Sequence, residues 1–309
     1  MPELPEVETV RNGLAKLLPG RVVADVWHDW PKSFPNAPAD VAKFLINAKI
    51  KDVKRRGKVL IIGLSSDYSL VIHLKMTGQL VFLPQAGKQS RVSSLESLGS
   101  EEKFGGGHPT DSLRGNLPDK STRVVLDLTD GSKLFFNDQR KFGWMRLLPD
   151  LELPEIDFLK KAGPEPLEDD FTVKDFIERL MTRKNSTAKA VLLDQTVIAG
   201  VGNIYADESL FLAKIHPSTK VADIPRTKLV ALYNDLRQVL NSAIENGGST
   251  DRNYVNAEGK KGSYIKIAQV FRREGQPCPR CGTEIVKIRV AGRGTHICPR
   301  CQKAPQESK

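Results

Sequence analysis

The chain has 309 residues, 39% of them hydrophobic and 27% charged, with a net charge of +10. That length fits two compact domains with real cores, and no run of about 18 apolar residues is present to span a membrane. The opening MPELPEVETV carries acids early and no apolar stretch, so it does not read as a signal peptide, and a cytosolic protein is the default expectation. Charge is unevenly placed: residues 259–309 hold twelve Lys or Arg and three Glu, a net of +9. A basic terminal region can face nucleic acid, anionic lipid or simply water.

Residues 6–18 read as a helix, because Val7, Val10, Leu14 and Leu17/Leu18 recur at three- and four-residue spacing and Pro19-Gly20 ends the run. From Arg21 to about Leu148 short β-branched stretches take over, among them Val22–Trp27, Val59–Leu64, Ser69–Leu74 and Val124–Leu128. Thr129-Asp130-Gly131-Ser132 follows the last as a hairpin signal. This half is expected to be a β-sandwich with one leading helix. Within it, Pro84 to Ser121 is rich in Gly, Ser and charge, and is expected to be a long exposed loop. Residues 149–170, rich in Pro and acids, suit an interdomain linker. Helical periodicity then returns in Phe171–Met181, Thr187–Leu193, Ile204–Ile215 and Pro225–Asn246, the last with an apolar stripe of Leu229, Leu232, Leu236, Val239/Leu240 and Ile244 and Gly247 as its cap. No internal repeat is present.

The chemistry concentrates at the two ends. Cys278-Pro-Arg-Cys281 and Cys298-Pro-Arg-Cys301 are two C-x2-C pairs separated by sixteen residues. Two such knuckles place four thiolates at the corners of a tetrahedron around Zn²⁺, with room for a hairpin in Gly282–Ile297. Disulfides, disfavoured in a reducing cytosol, and an iron–sulfur centre are the alternatives. With four protein ligands a zinc site is closed, so the metal folds the ribbon and does not catalyse.

At the other end, Met1-Pro2 is a pair from which methionine is normally trimmed, because the second residue is small, and trimming would leave a proline amine beside Glu3 and Glu6. A secondary amine can attack C1′ of a nucleoside and form an iminium ion. An α-amine titrates near about 7.7–8, so part of it is neutral at pH 7, as a nucleophile must be. A carboxylate alongside opposes that by favouring the cation, unless it moves the proton as a general acid/base. Taken alone, these residues read equally as a helix start, with prolines in the first turn and acids facing the helix dipole.

PELPEVETV, Gly202-Asn203-Ile204-Tyr205-Ala206-Asp207-Glu208 and the stretch from Gly292 to Gln302 occur together and in order. The chain thereby resembles the formamidopyrimidine-DNA glycosylases, over essentially its whole length except residues 84–121. The resemblance implies an α+β multidomain protein: an N-terminal β-sandwich with a leading helix, a helical helix–two-turns–helix domain and a C-terminal zinc ribbon, with double-stranded DNA in the cleft between the halves. It implies Pro2 as nucleophile, Glu3 as the acid/base, Glu6 in the same catalytic cluster and Lys58 beside the lesion and its phosphates. His73, Asn203 and Arg293 match residues that hold phosphates around an extruded nucleotide. Met76, Arg140 and Phe142 resemble a trio that fills the gap left in the duplex, Arg140 facing the orphaned cytosine. A stacked base must flip out before its glycosidic bond can be attacked, and an apolar wedge offsets part of that cost. Phosphate contacts add affinity that ignores sequence, as a lesion that can arise anywhere requires.

Outside this match each residue has a plainer role: His73 packed on a strand, Met76 and Phe142 in a core, Asn203 capping a helix, Lys58 and Arg140 solvated. Two departures stand out. The 84–121 stretch is longer than the family's usual connection, and position 141 is Lys where the family often has Arg, which keeps charge but loses a planar fork. The expected division is a catalytic domain at 1–148, a linker at 149–170, a helical DNA-binding domain at 171–258 and a zinc-ribbon region at 259–309. The expected activity is a bifunctional glycosylase and AP lyase for oxidised purines with one structural Zn²⁺, acting as a monomer without a membrane. A sister enzyme for oxidised pyrimidines and a non-catalytic zinc-ribbon DNA-binding protein are the alternatives. The lesion-capping segment, about Gly248–Tyr264, carries no signal of its own.

Overall fold

A computed structural model describes residues 2–85, 104–107, 116–249 and 263–305. Contacts divide the chain into two units, Met1–Leu159 with Gly247–Ser263, and Lys160–Asn246 with Tyr264–Lys309. No helix among the described residues is long and apolar enough to cross a membrane.

The first unit opens with helix α1, Leu4–Leu17. It starts two residues earlier than the apolar spacing predicts, because Pro5 is pre-set for a first turn and the Glu3 N–H donates to Glu6 Oε2 at 2.7 Å. Val7, Val10 and Leu14 then face inward and are essentially unexposed. Among the described residues nine strands follow: β1 Val23–His28, β2 Ile50–Arg56, β3 Val59–Leu64, β4 Tyr68–His73, β5 Gly78–Leu83, β6 Phe104–Gly107, β7 Thr122–Leu128, β8 Lys133–Asp138 and β9 Trp144–Pro149. They form two antiparallel sheets, β1-β7-β8-β5-β6 and β2-β3-β4-β9. Leu60, Ile62, Leu70 and Ile72 of one sheet and Leu80, Phe82, Leu126 and Phe136 of the other share one core with α1. The expected β-sandwich with a leading helix is the architecture found.

The 84–121 stretch is not loop throughout. Phe104–Gly107 is an edge strand paired with β5 and buried at every position. Phe-Gly-Gly-Gly has no strand propensity to announce it. Glycine is there for closeness: a Cβ on Gly106 would lie 2.6 Å from Val10 Cγ2 of α1, so only a bare backbone lets the helix rest on this edge.

In the second unit, α2 Val173–Met181 is capped by Thr172, whose Oγ1 accepts from Asp175 N at 3.2 Å. Helices α3 Ala188–Leu193, α4 Asn203–Leu212 and α5 Arg226–Glu245 follow, close to the four periodic segments of the sequence. Leu229, Leu232, Leu236, Val239 and Leu240 of α5 pack with Tyr205, Leu210 and Phe176, and α5 ends at the left-handed Gly247. Hairpin β10 Val286–Val290 and β11 Arg293–Ile297 completes the unit. Residues 149–170 contain a short 3-10 helix, Asp150–Glu155, and one helical turn, Asp157–Lys160.

Candidate active site and metal centre

Pro2, Glu3 and Glu6 are all buried at the start of α1. The Glu6 carboxylate spans two backbones: Oε2 accepts from Glu3 N, while Oε1 accepts from Ser249 N at 2.7 Å and Ser249 Oγ at 2.9 Å. The chain leaving α5 is thereby fastened to the N-terminus. Gly248 makes this approach possible, with φ +84° and its Cα close enough that a Cβ would sit 3.1 Å from Glu6 Oε1. Glu6 is therefore a clamp as well as a neighbour of the amine. Met1 and residues 250–262, with most of the expected lesion-capping segment, lie outside the described residues.

The β2–β3 turn carries Lys58, and the register sets Val59 opposite His73. Arg55 holds the turn to α1 by donating Nε to Glu8 Oε2 at 2.7 Å. His73 Nδ1 accepts from Lys75 N at 3.0 Å. Burial first, then the charges of Lys75 and Lys58, push the His73 pKa down to about 3. The ring is neutral near pH 7, and with Nδ1 accepting, its proton sits on Nε2 as a donor.

Met76, Arg140 and Phe142 occupy two neighbouring loops, because His73 pairs with Trp144 and Gly78 pairs with Asp138. Buried Asp138 fastens one loop to the other: it accepts from Thr77 Oγ1, from Arg140 N at 3.2 Å and from Gly143 N at 2.6 Å. Lys75 and Lys141 each take a left-handed conformation at their loop tips. Met76 is 38% and Phe142 55% exposed, so neither is a core residue, and the Arg140 guanidinium lies over the Phe142 ring at 5.0 Å. Two exposed apolar side chains beside a cation, held on a buried carboxylate, suit insertion into a base stack.

In the second unit Asn203 is the first residue of α4, with Gly202 as the cap, so the plain capping role does not apply. Its Nδ2 donates to Gly294 O at 3.0 Å, in the stretch that carries exposed Arg293. Beneath it lies a fully buried ion pair, Lys189 Nζ to Asp207 Oδ1 at 2.5 Å. Lys189 also donates to Thr295 Oγ1 at 2.7 Å, and Asp207 Oδ2 accepts from His296 N at 2.9 Å. The strand bearing Arg293 is thus fixed to α3 and α4 by charge-assisted bonds. Glu208, also buried, accepts from Gln269, Val270 and Phe271 N–H groups at 2.7–2.9 Å. Sequence reasoning missed Ser249, Asp138, Lys189 and the roles of Asp207 and Glu208. The one signal available was a lysine inside the apolar run Ala188–Leu193.

The four cysteine sulfurs lie within 4.8 Å of one another, with Cys281–Cys298 at 3.4 Å and Cys278–Cys301 at 3.9 Å. A tetrahedron with Zn–S bonds of about 2.3 Å has edges of about 3.8 Å. Arg280 N and Cys301 N point at Cys278 Sγ and Cys298 Sγ, at 3.4 and 3.5 Å. No disulfide joins them. The four residues fit one zinc ion with no position left for water, a structural centre. Cys298 N donates to Gln302 Oε1, and Gln302 Nε2 to Ile215 O at 2.9 Å, tying the ribbon to the helices.

Comparison with known proteins covers nearly the whole chain. Residues 1–145 match the formamidopyrimidine-DNA glycosylase N-terminal domain, 162–254 the H2TH domain of the same enzymes, and 275–304 a zinc finger found in FPG and IleRS. The formamidopyrimidine-DNA glycosylase of Pelotomaculum thermopropionicum is 39% identical over 98% of this chain and 99% of its own. That of Pediococcus pentosaceus is 41% identical over 98% and 99%. Among solved structures, the Lactococcus lactis Fpg in complex with DNA containing an abasic site has a TM-score of 0.81 at 33% identity, covering 98% of this chain and 100% of that one. A complex of the same enzyme with DNA containing an oxidised pyrimidine has a TM-score of 0.80 at 34% identity, with the same coverage. The fold and the metal centre define a zinc-ribbon DNA glycosylase of base excision repair. Within that class, the chain belongs to the formamidopyrimidine-DNA glycosylase family.

Proposed function

We propose that this enzyme excises oxidised purines, 8-oxoguanine and formamidopyrimidines, from duplex DNA opposite cytosine and then cleaves the strand as a lyase. The observation that carries the reading is the buried Pro2-Glu3 start of α1, with Glu6 bonded to Glu3 N. With Met1 removed, the neutral Pro2 amine attacks C1′. The glycosidic C–N bond breaks and the base leaves with a proton; the C1′–O4′ bond then opens, O4′ taking a proton from Glu3, and the ring-opened sugar stays linked to Pro2 as an iminium. The iminium acidifies the C2′ hydrogen, so elimination expels the 3′-phosphate and a second elimination the 5′-phosphate. Glu3 serves as the acid/base, and Lys58, half-buried beside His73, adds positive charge where phosphates gather.

Neutral His73, Asn203 and Arg293 serve as phosphate donors, while Met76, Phe142 and Arg140 fill the gap in the duplex. In this reading residues 1–148 carry the chemistry, 149–170 link, and 171–258 with 259–309 hold DNA. Zinc, held by Cys278, Cys281, Cys298 and Cys301, keeps the ribbon folded. The enzyme acts as a cytoplasmic monomer. Binding of oxidised-pyrimidine DNA by the L. lactis relative makes lesion range the point to test, by comparing excision of 8-oxoguanine with that of thymine glycol.

The decisive experiment is borohydride trapping on a duplex with one 8-oxoguanine opposite cytosine. The native protein is expected to become covalently linked, and Pro2→Gly to bind the duplex with excision nearly abolished. A fully active Pro2→Gly would remove the mechanism. Tight binding without a covalent band, with Pro2 confirmed as the N-terminus, would favour another lesion class or a binding-only protein.

A further inference from the structure

Beside the zinc ligand Cys301, which lines one part of its wall, the second unit carries a surface cleft of about 240 Å³. Its walls include Lys214, Lys228, Arg300 and Lys303, with His216 and Asp223. Lys214 closes α4, Lys228 lies in the first turn of α5, and Arg300 and Lys303 flank the last cysteine of the ribbon. All four cations are exposed. Among the described residues none has an ion-pair partner within 4.0 Å, although Asp223 shares the wall. Some surface lysines elsewhere do find acids, as Lys51, Lys54 and Lys133 do, whereas these four cations share one concavity. Four positive charges collected around one concavity, with a single acid among them, repel one another unless an anion joins them.

A largely buried histidine, His216, lines the same space. His216 is 8% exposed, and its Nδ1 accepts from Ser218 N at 3.2 Å. Its Nε2–H has no hydrogen-bond partner among the described residues, and burial lowers its pKa below the ordinary histidine value, which keeps it a neutral donor. The positive end of α5, twenty residues long and without an acid in its first turn, opens at the same wall. Lys228 is held in place by donating Nζ to Lys214 O at 2.9 Å. Point charges from three lysines, one planar guanidinium and a neutral N–H suit a tetrahedral oxyanion with several acceptor oxygens.

We propose that this cleft is a phosphate-binding site separate from the catalytic machinery, taking either a free phosphate or a backbone phosphate of nucleic acid beyond the lesion. The test uses the zinc-loaded protein and a double charge reversal, Lys228→Glu with Lys303→Glu. Lys174→Glu with Lys184→Glu, at exposed positions of the same unit, is the charge-matched control. Inorganic phosphate binding is followed by calorimetry. The salt dependence of binding is measured on a short lesion duplex and on a long undamaged one, with circular dichroism and zinc content checking the fold. If the site takes free phosphate, the parent and the control bind it and the reversal loses affinity by about tenfold or more. If it takes nucleic acid, the reversal lowers the salt slope on the long duplex by about 0.9 per phosphate lost and leaves the short duplex unchanged. Unchanged phosphate binding with an unchanged slope overturns the proposal, and so does an equal loss on both duplexes or in the control. Lys228→Arg with Lys303→Arg is expected to restore whichever signal the reversal removes. None of these readouts depends on excision, so the site stands or falls apart from the lesion reading.

Discussion

His73 illustrates how one residue's surroundings fix its chemistry. An exposed imidazole is half charged near pH 6.5, whereas here burial and two lysines hold the folded pKa down to about 3. The unfolded chain therefore takes up a proton near pH 6.5 that the folded chain refuses until near pH 3. The native state is expected to lose stability from this group as pH falls through that window, and to gain nothing from it above. Nitrogen NMR is expected to find the Nε2–H neutral form unchanged from pH 8 to pH 5; titration near 6.5 would mean the ring is solvated. Asp207 is the second case. Lys189 and Asp207 are both fully buried, so Asp207→Asn leaves an ammonium without its counter-charge and is expected to cost about 3–5 kcal/mol. Lys189→Met with Asp207→Leu, which removes both charges, is expected to recover most of that loss in thermal melts. If the single variant melts like the parent, the pair is not what secures the strand carrying Arg293.

Among the elements, α1 and β6 depend on each other. The helix buries Val7, Val10 and Leu14, each worth about 1.5–3 kcal/mol against exposure, and Val10 meets a bare glycine backbone in β6. Gly106→Val would force the strand and the helix apart. The expected result is a destabilised unit with Pro2 displaced, so that excision falls along with melting temperature. Retained activity in a stable variant would mean that α1 is positioned by its other neighbours. The helices and most strands were legible in the sequence because their apolar residues keep a period of 3.6 or 2. β6 was not, since Phe-Gly-Gly-Gly has no alternation and is a strand only because β5 offers an unpaired edge. Loop chemistry was hidden for a similar reason: Asp138 and Thr77 are 61 residues apart, and nothing local marks them as partners.

For the whole molecule, the zinc ribbon is the part most dependent on an added group. Its own core is small, gathering Val270, Ile285 and the cysteines against Phe211, and a core of that size does not hold a hairpin without metal or partner. Cys298→Ser is expected to lose zinc and weaken DNA binding, with the apolar core of the first unit still folded. Undiminished DNA binding after zinc loss would show that the ribbon is dispensable. Sequence alone determined what local order and side-chain chemistry can carry: the proline-glutamate start, the two cysteine pairs, the helical stripes and the alternating strands. Spacing and motif are enough there, because each depends on residues near in the chain. Tertiary structure alone decided the rest: that Glu6 grips Ser249, that Asp138 joins two loops, that a buried lysine secures the ribbon strand and that four cations share one cleft. Those are meetings of residues far apart in sequence, and a hydrogen bond or a charge pair acts on distance in space.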